Sequence, residues 1–254
     1  MTINIYNDFS DYMMFKGIKN VDVIQPKCEN MDRDIMEKLI IEQFGVIHCL
    51  HEKSLGFDGY LRNRLNNNTG KTIEGYRISI KKLASDIDSI SRHEPKNSFE
   101  KLIVKYGKGV MERGENCIRA AYGADYLGII TRSMRRGEIC LGNTGFENLS
   151  QNEFIEVVSF ESCCYNMVEM DCYLFLSKLK RKGVKVDFNK MAEEFCTIEG
   201  LDESSLKFLL ALISYPHEFM KCCNRHRAGK RLWHEDRFSQ KLAKALIQDG
   251  DSLI

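Results

Sequence analysis

The sequence reads EICLGNTGFENL over residues 138–149 and FIEVVSFES over residues 154–162. Both stretches are short and apolar, the second is rich in β-branched residues, and Asn and Gly positions typical of turns interrupt them. This pattern predicts a loop followed by a small β-hairpin. The character of the chain therefore changes after Arg136 and Gly137.

Helical periodicity surrounds this segment on both sides. Upstream, apolar residues recur at helical spacing over residues 35–50, over residues 73–90 and, behind a Ser98 N-cap, to about Tyr126. Downstream, the same spacing predicts helices over residues 168–182, 188–196, 203–227 and 236–247. Pro216 removes a backbone donor inside the third of these, so a break is expected near Tyr215. The sequence predicts a mainly α-helical protein with one small β insertion.

The composition is that of a globular protein. The chain has 254 residues, 43% hydrophobic and 29% charged, which is enough to bury a core. Its 37 Lys and Arg balance 36 Asp and Glu, so the surface as a whole is not a trap for nucleic acid or anionic membrane. The start, MTINIYNDFSDYMMF, does not have the pattern of a secretory signal, so we expect ten reduced cysteines inside a cell. Residues 1–34 lack a clear period and predict a short N-terminal arm or remnant before a domain at residues 35–254.

The stretch from Cys140 to Leu149, with Glu156 to Glu161 after it, resembles the catalytic half of the aminoglycoside and choline kinase-like phosphotransferases. Three further segments are GKT at residues 70–72, SFEKL at 98–102 and LISYPHEFMKCCNRHRAGKRLW at 212–233. Together, in this order, the four segments make the chain similar to the CotS-type spore coat proteins of endospore-forming bacteria. The resemblance implies a kinase-like C-lobe without most of the N-lobe.

The active motif of that superfamily is HGDxxxxN, followed by a strand that ends in Asp-Phe-Asp. Laid over this sequence, the His position is Leu141, the catalytic Asp position is Asn143 and the metal-binding Asn is kept as Asn148. The metal-binding Asp position is Ser159, and Glu161 follows on the same strand face. The amide of Asn143 cannot take a proton at neutral pH, and Ser159 offers a neutral hydroxyl where Mg²⁺ prefers a carboxylate.

These substitutions predict that the protein is not an enzyme and holds neither cofactor nor metal. A second reason is length, because a five-stranded N-lobe needs roughly 40 residues or more, and the 34 residues before the first helix contain no Gly-rich loop. The predicted role is a non-catalytic, kinase-like structural or interaction component in sporulation. The alternative is a small-molecule phosphotransferase with an atypical metal site that uses Asn148 and Glu161.

The resemblance also implies a place in the cell and a set of partners. It implies synthesis in the mother-cell cytoplasm, location in the spore coat and contact with other spore coat proteins, without nucleic acid or membrane partners. The candidate interaction residues are Arg225, Arg227, Lys230, Arg231 and Trp233, which either pack internally or bind a partner. A second basic run, over residues 178–185, is either a solvated helix end or a contact for an acidic partner or nucleic acid.

Two groups of side chains are of metal-ligating type. They are His217, Cys222, Cys223 and His226 near the C-terminus, and His48 with His51 on the first long helix. In the first group only Cys222 and His226 share a helix face, and in the second no carboxylate of suitable spacing completes the pair. Asp171 lies near a predicted helix start, which indicates a structural rather than a catalytic carboxylate.

Overall fold

The computed structural model describes residues 5–25, 32–57, 60–229 and 235–254. These residues form ten helices and eight short strands. The helices are α1 (Phe9–Phe15), α2 (Arg33–Ser54), α3 (Lys71–Ser91), α4 (Ser98–Gly123), α5 (Tyr126–Arg136), α6 (Glu169–Lys182), α7 (Phe188–Glu199), α8 (Glu203–Ser214), α9 (His217–Arg227) and α10 (Glu235–Asp249). The strands are β1 (Ile5–Tyr6), β2 (Lys19–Asn20), β3 (Tyr60–Leu61), β4 (Asn66–Asn67), β5 (Ile139–Cys140), β6 (Leu149–Gln151), β7 (Ile155–Val157) and β8 (Cys164–Tyr165). The predicted mainly α-helical fold is confirmed.

The predicted helices correspond closely to the observed ones, with three differences. The arm predicted at residues 1–34 contains a helix, α1, and the N-cap of α4 is Asn97 rather than Ser98, since the Asn97 side chain accepts from the Glu100 N–H. The expected break at Pro216 is present, because α8 ends at Ser214 and α9 begins at His217. The third predicted helix is wrong at its end: α4 stops at Gly123, and a separate helix, α5, follows. Asp125 makes this turn with φ +53°, and its side chain accepts from the Gly128 N–H as the N-cap of α5.

The core lies where α2, α6, α7 and α8 pack together. Phe44, Phe175, Phe195 and Phe208 are among its largest fully buried side chains. The Phe44 ring meets Phe195 edge-on at a centroid distance of 5.3 Å and Phe175 at 6.0 Å. Edge-to-face contacts of this kind stabilise a core beyond simple area burial. The buried apolar residues of the loop and hairpin at residues 141–157 belong to the same core.

Three small sheets join distant parts of the chain. The predicted hairpin is present as antiparallel β6 and β7, and β2 extends it in parallel, with Lys19 opposite Glu156. Strand β1 pairs in parallel with β3, and β8 lies between β4 and β5. The N-terminal segment therefore contributes a strand beside the hairpin, and α1 buries Phe9, Tyr12 and Met13.

The cysteines of the described residues are free thiols. Eight of the nine are buried and Cys49 is exposed. Burial raises the pKa of Cys140 and Cys172 well above the usual thiol range, so these groups stay protonated at neutral pH. Within the described ranges, no helix combines the length and the apolar character needed to cross a membrane.

Candidate functional site

The loop at residues 141–148 connects β5 to the hairpin and is fixed by one carboxylate. The backbone N–H of Leu141 donates to Asp171 Oδ2 at 2.8 Å, and that of Gly142 donates to Asp171 Oδ1 at 2.7 Å. Asp171 is in the first turn of α6 and is fully buried. Two charge-assisted hydrogen bonds from consecutive backbone groups set the path of the chain at the start of the loop. This is a structural role, as the sequence indicated.

His51 of α2 supports Asp171 from the opposite side. Its Nε2 lies 3.0 Å from Asp171 Oδ2 and its Nδ1 lies 2.7 Å from Glu199 Oε1, at the end of α7. Burial alone would lower the pKa of His51, but hydrogen bonds to the two carboxylates outweigh it and raise this pKa to about 10. The imidazole is therefore a buried cation between two anions.

This network corrects the analysis of His48 and His51. We expected no carboxylate to complete the pair, yet Glu199 bonds both, with His48 Nδ1 at 3.2 Å from Oε2. Burial opposes ionisation of Glu199, but its bonds to the histidines lower its pKa below the usual range. The separation of 148 residues between His51 and Glu199 hides this contact from any local sequence pattern.

Among the described residues, one group of three side chains has ligand atoms close enough for a metal ion: His51, Cys140 and Asp171. Both nitrogens of His51 are bonded to carboxylates, and a doubly protonated imidazole has no lone pair for a metal. Cys140 donates its thiol to the Met167 carbonyl, with 3.0 Å from sulfur to oxygen. The polar atoms of this group are therefore used in hydrogen bonds within the protein rather than in metal coordination.

Asn148 ties the loop to the strand that follows the hairpin. Its Nδ2 donates to the Asn143 carbonyl at 2.8 Å and to the Ser159 carbonyl at 3.1 Å, and its Oδ1 accepts from the Ser159 N–H at 2.9 Å. Asn148 is buried, whereas the side chain of Asn143 is partly exposed. The structure brings these three predicted residues together and gives Asn148 an anchoring role.

Two cavities lie on the two sides of the segment at residues 158–166. The first, which we call the polar cavity, has a volume of about 450 Å³ and is lined by Ser159 and Glu161 together with Asp8, Asn20 and Arg64. Glu161 is exposed, and its backbone N–H donates to Ser159 Oγ at 3.2 Å. The N-terminal segment therefore forms one wall of the polar cavity, although it contains no Gly-rich loop.

The second cavity, which we call the tyrosine cavity, is larger, at about 710 Å³. Its rigid wall is made by Tyr76, Tyr173 and Tyr215. The Tyr76 and Tyr215 rings stack at a centroid distance of 3.4 Å, and the Tyr76 hydroxyl is 2.7 Å from that of Tyr173. Gly142 and Ser162 bring the cavity up to the loop. This size and this mixture of aromatic and polar lining are typical of small-molecule sites.

The predicted interaction residues divide between two environments. Arg225 lines the tyrosine cavity, and Arg227 pairs with Asp86 of α3. Lys230, Arg231 and Trp233 lie outside the described residues. The second basic run is partly used inside the molecule, since Lys178 pairs with Glu147, Arg181 pairs with Glu218 and Lys180 donates to the Ile213 carbonyl.

The C-terminal group of His and Cys side chains does not converge. Cys222 and Cys223 are buried in the core, His217 lines the tyrosine cavity and the His226 ring stacks on Phe99 at a centroid distance of 4.0 Å. Their ligand atoms form no metal-sized group within the part of the chain that the structure describes.

Comparison with known proteins places the fold. No family model matches the sequence, and no curated protein matches it. A solved structure that is similar is the aminoglycoside phosphotransferase from Alicyclobacillus acidocaldarius subsp. acidocaldarius DSM 446, with a TM-score of 0.62 and 12% sequence identity. The match covers 84% of this chain and 62% of that chain, so this chain spans less than two thirds of the solved protein's length.

This comparison contradicts the prediction that the chain is not an enzyme. The solved protein that shares the fold is itself an enzyme, so replacement of the acidic residues by Asn143 and Ser159 does not by itself establish inactivity. At 12% identity the likeness shows the fold alone. The chain has the kinase-like fold of the aminoglycoside phosphotransferases.

Proposed function

We propose that this protein is a small-molecule phosphotransferase of the CotS spore coat type, with nucleotide phosphates on the polar-cavity side and the acceptor in the tyrosine cavity. The observation that carries the proposal is the position of the two cavities. Ser159 and Glu161 face one of them, and Ser162, one residue further on, faces the other. Only a thin segment of backbone separates them, beside the loop that carries Asn143.

The reaction needs little covalent chemistry from the protein. An acceptor hydroxyl oxygen forms a bond to the γ-phosphorus, the bond from that phosphorus to the bridging oxygen breaks, and ADP leaves with the electron pair. The transition state is largely dissociative in most analyses, so catalysis is chiefly positioning and electrostatic stabilisation. In this proposal no side chain takes the proton of the acceptor hydroxyl, because the amide of Asn143 cannot, and this proton passes to the transferred phosphoryl group.

The fold implies a magnesium ion with the nucleotide, and the donors present fit such an ion with fewer carboxylates than usual. Mg²⁺ in such sites is held by one or two carboxylates plus phosphate oxygens and water. Glu161 supplies one exposed carboxylate on the polar cavity, and Ser159 supplies a neutral hydroxyl. The ion would neutralise phosphate charge there. Asn148, which the alternative proposal made a metal ligand, instead uses its side-chain oxygen on the Ser159 N–H.

A comparison of two exposed glutamates tests the proposal. We expect the purified chain with Mg-ATP and a pool of hydroxylated small molecules to transfer labelled γ-phosphate to an acceptor. Glu161→Gln should reduce this transfer by about tenfold or more, because a charged group at the phosphates is worth more than 1.4 kcal/mol. Glu153→Gln, in the turn of the hairpin, should leave it unchanged.

Transfer that is equal in the two variants, or no labelled product with the wild-type chain, would overturn the assignment. Nucleotide binding gives an independent readout, since Mg-ATP present at 100 times its dissociation constant stabilises a protein by about 2.7 kcal/mol. That stabilisation should be seen with wild type and Glu153→Gln and should be weaker with Glu161→Gln.

The spore coat assignment has a separate basis and a separate test. It is supported by the four sequence segments that resemble CotS-type proteins and occur in the same order. In a sporulating cell, a fluorescent fusion made in the mother cell should move to the forespore surface and stay with the released spore, among other coat proteins. A fusion that remains spread through the mother cell until lysis would contradict this part of the proposal.

A further inference from the structure

The tyrosine cavity has a one-sided charge. Among the described residues that line it, the charged side chains are Lys71 of α3 and Lys221 and Arg225 of α9, and none is an Asp or a Glu. Burial lowers the pKa of His217, so this lining residue is neutral at neutral pH. A cationic molecule in this cavity would meet three positive side chains and, among the described residues, no carboxylate in the lining.

The acidic groups on neighbouring elements do not change this sign. Glu218, beside His217 on α9, forms salt bridges with two cations, Arg181 at 3.2 Å and Lys221 at 3.5 Å. Asp86 of α3 pairs with Arg227, and Asp171 is enclosed by the loop and His51. Glu218 therefore offsets one of its two cations at most, and the described lining keeps a net positive charge from Lys71 and Arg225.

The apolar part of the lining has an equally definite shape. Tyr76 and Tyr215 are parallel to within 2°, and Met170, Leu174 and Met220 complete the apolar surface. The hydroxyl of Tyr76 is bonded to Tyr173, and that of Tyr215 approaches the Tyr76 carbonyl at 3.4 Å, so the wall is held in place. Tyr76, Tyr173 and Tyr215 are each at most 6% exposed, so they contribute a fixed apolar patch rather than open ring faces, and such a patch favours a ligand with an aromatic or extended apolar body.

From the charge and the wall together, we propose that the tyrosine cavity binds an organic anion with an apolar, preferably aromatic body. This inference rests on the proposed function, in which the same cavity takes the phosphoryl acceptor, and it names the class of acceptor. A polycationic acceptor such as an aminoglycoside is excluded by the charge of the lining. Arg225 and Lys71 are exposed at the mouth and would hold the anionic group, with the ring on the tyrosines.

A matched series of three naphthols tests the class without nucleotide. The probes are 6-hydroxy-2-naphthoate, 2-naphthol and 6-(aminomethyl)-2-naphthol, which share the ring and the hydroxyl and carry an anionic group, no group and a cationic group at the opposite end. We expect the anion to bind the full chain at least about tenfold more tightly than the cation, and the neutral compound to lie between them. Fluorescence titration or calorimetry at low salt gives the three dissociation constants.

One charge deletion and one control localise the effect. Arg225→Ala should weaken binding of the anion about fivefold and leave the dissociation constant of 2-naphthol unchanged, because about 1 kcal/mol of charge-assisted interaction is lost. Lys108→Ala, at an exposed position of α4 outside the lining, should change none of the three dissociation constants. A cation that binds as tightly as the anion, equal losses for anion and neutral compound in Arg225→Ala, or failure of all three to bind would overturn the inference.

The result does not depend on transfer. Preference for the cation in a chain that transfers phosphate would overturn the acceptor class alone. Preference for the anion in a chain that transfers no phosphate would overturn the proposed function alone and leave the cavity as a binding site.

Discussion

At position 142, any residue other than glycine would displace the loop. The φ of Gly142 is +76°, and a Cβ placed on it would lie 2.5 Å from the backbone oxygen of Ser162. The first feature strains any L-residue, and the second is a collision with backbone, which cannot rotate away as a side chain can. The glycine thus allows the loop to touch the segment that separates the two cavities.

Gly142→Ala should therefore destabilise the protein by roughly 3 kcal/mol, the sum of left-handed strain and overpacking. Gly137→Ala is the matched control, since Gly137 also has a positive φ, of +61°, but nothing lies within 4 Å of its Cβ position. It should cost about 1 kcal/mol. Urea unfolding of both variants measures the difference, and equal losses would show that the contact with Ser162 does not constrain the loop.

At the scale of elements, the packing of α3 on α4 depends on two glycines. Gly107 and Gly114 lie on the buried face of α4, where added Cβ atoms would come within 3.0 Å of Ile87 and 3.1 Å of Ile80. Gly109, on the same helix, is exposed and has open space around it. The two helices can approach closely because the contact positions lack a side chain.

These positions predict opposite effects of the same substitution. Gly109→Ala should stabilise the protein by about 0.5–1 kcal/mol, the gain from removing a glycine from a helix interior. Gly114→Ala should lose about 1 kcal/mol net, because overpacking of its Cβ against Ile80 at 3.1 Å outweighs the same gain. Thermal or chemical denaturation ranks the two, and a gain at both positions would refute the close packing of α3 on α4.

The sequence predicted helices better than strands, for a physical reason. A helix such as α3 repeats its apolar contacts every turn, so residues 73–90 already carried the pattern of Lys71–Ser91. Strand β2 has two residues and is defined by its partner β7, far along the chain, so no local pattern identifies it. The missed helix α5 begins at a turn made by Asp125, a non-glycine residue whose positive φ cannot be predicted from the sequence pattern.

The same distinction holds for the candidate site. Asn143, Asn148, Ser159 and Glu161 lie in one short segment and were predicted by its resemblance to a known motif. The groups that hold this segment in place come from elsewhere in the chain: His51 and Glu199 are 148 residues apart. The charge of the tyrosine cavity was equally invisible, because its cations come from α3 and α9 and only the fold brings them together.

At the scale of the whole molecule, one buried cation links the core helices to the site. His51 joins α2 to α6 through Asp171 and to α7 through Glu199, and Asp171 in turn holds the loop. Removal of the charge would leave two buried carboxylates without a cation between them, which is more costly than replacing the whole network by apolar groups. The site and the stability of the fold therefore share one set of contacts.

This arrangement makes a stability prediction that depends on pH. The folded protein holds the His51 proton with a pKa of about 10, whereas the unfolded chain releases it near 6.5. The stabilisation is therefore complete below pH 6.5 and is lost as the pH rises toward 10. His51→Gln keeps a side chain that forms hydrogen bonds but does not titrate, and it should destabilise the protein by about 3 kcal/mol at pH 6.

The gap in unfolding free energy between wild type and His51→Gln should narrow by about 2–3 kcal/mol between pH 6 and pH 8.5, since each pH unit above the unfolded pKa of 6.5 corresponds to about 1.4 kcal/mol. Comparison of the two proteins at each pH cancels the titration of other groups, such as Lys180, whose pKa burial lowers to about 8. His93→Gln, at an exposed histidine bonded to the Glu94 carbonyl, is the surface control and should change the unfolding free energy by less than about 0.5 kcal/mol. A gap for His51→Gln that stays constant or widens over this range would mean that the pKa of His51 is not raised in the folded protein, and at pH 8.5 the loop would then be held by Asp171 without a buried cation.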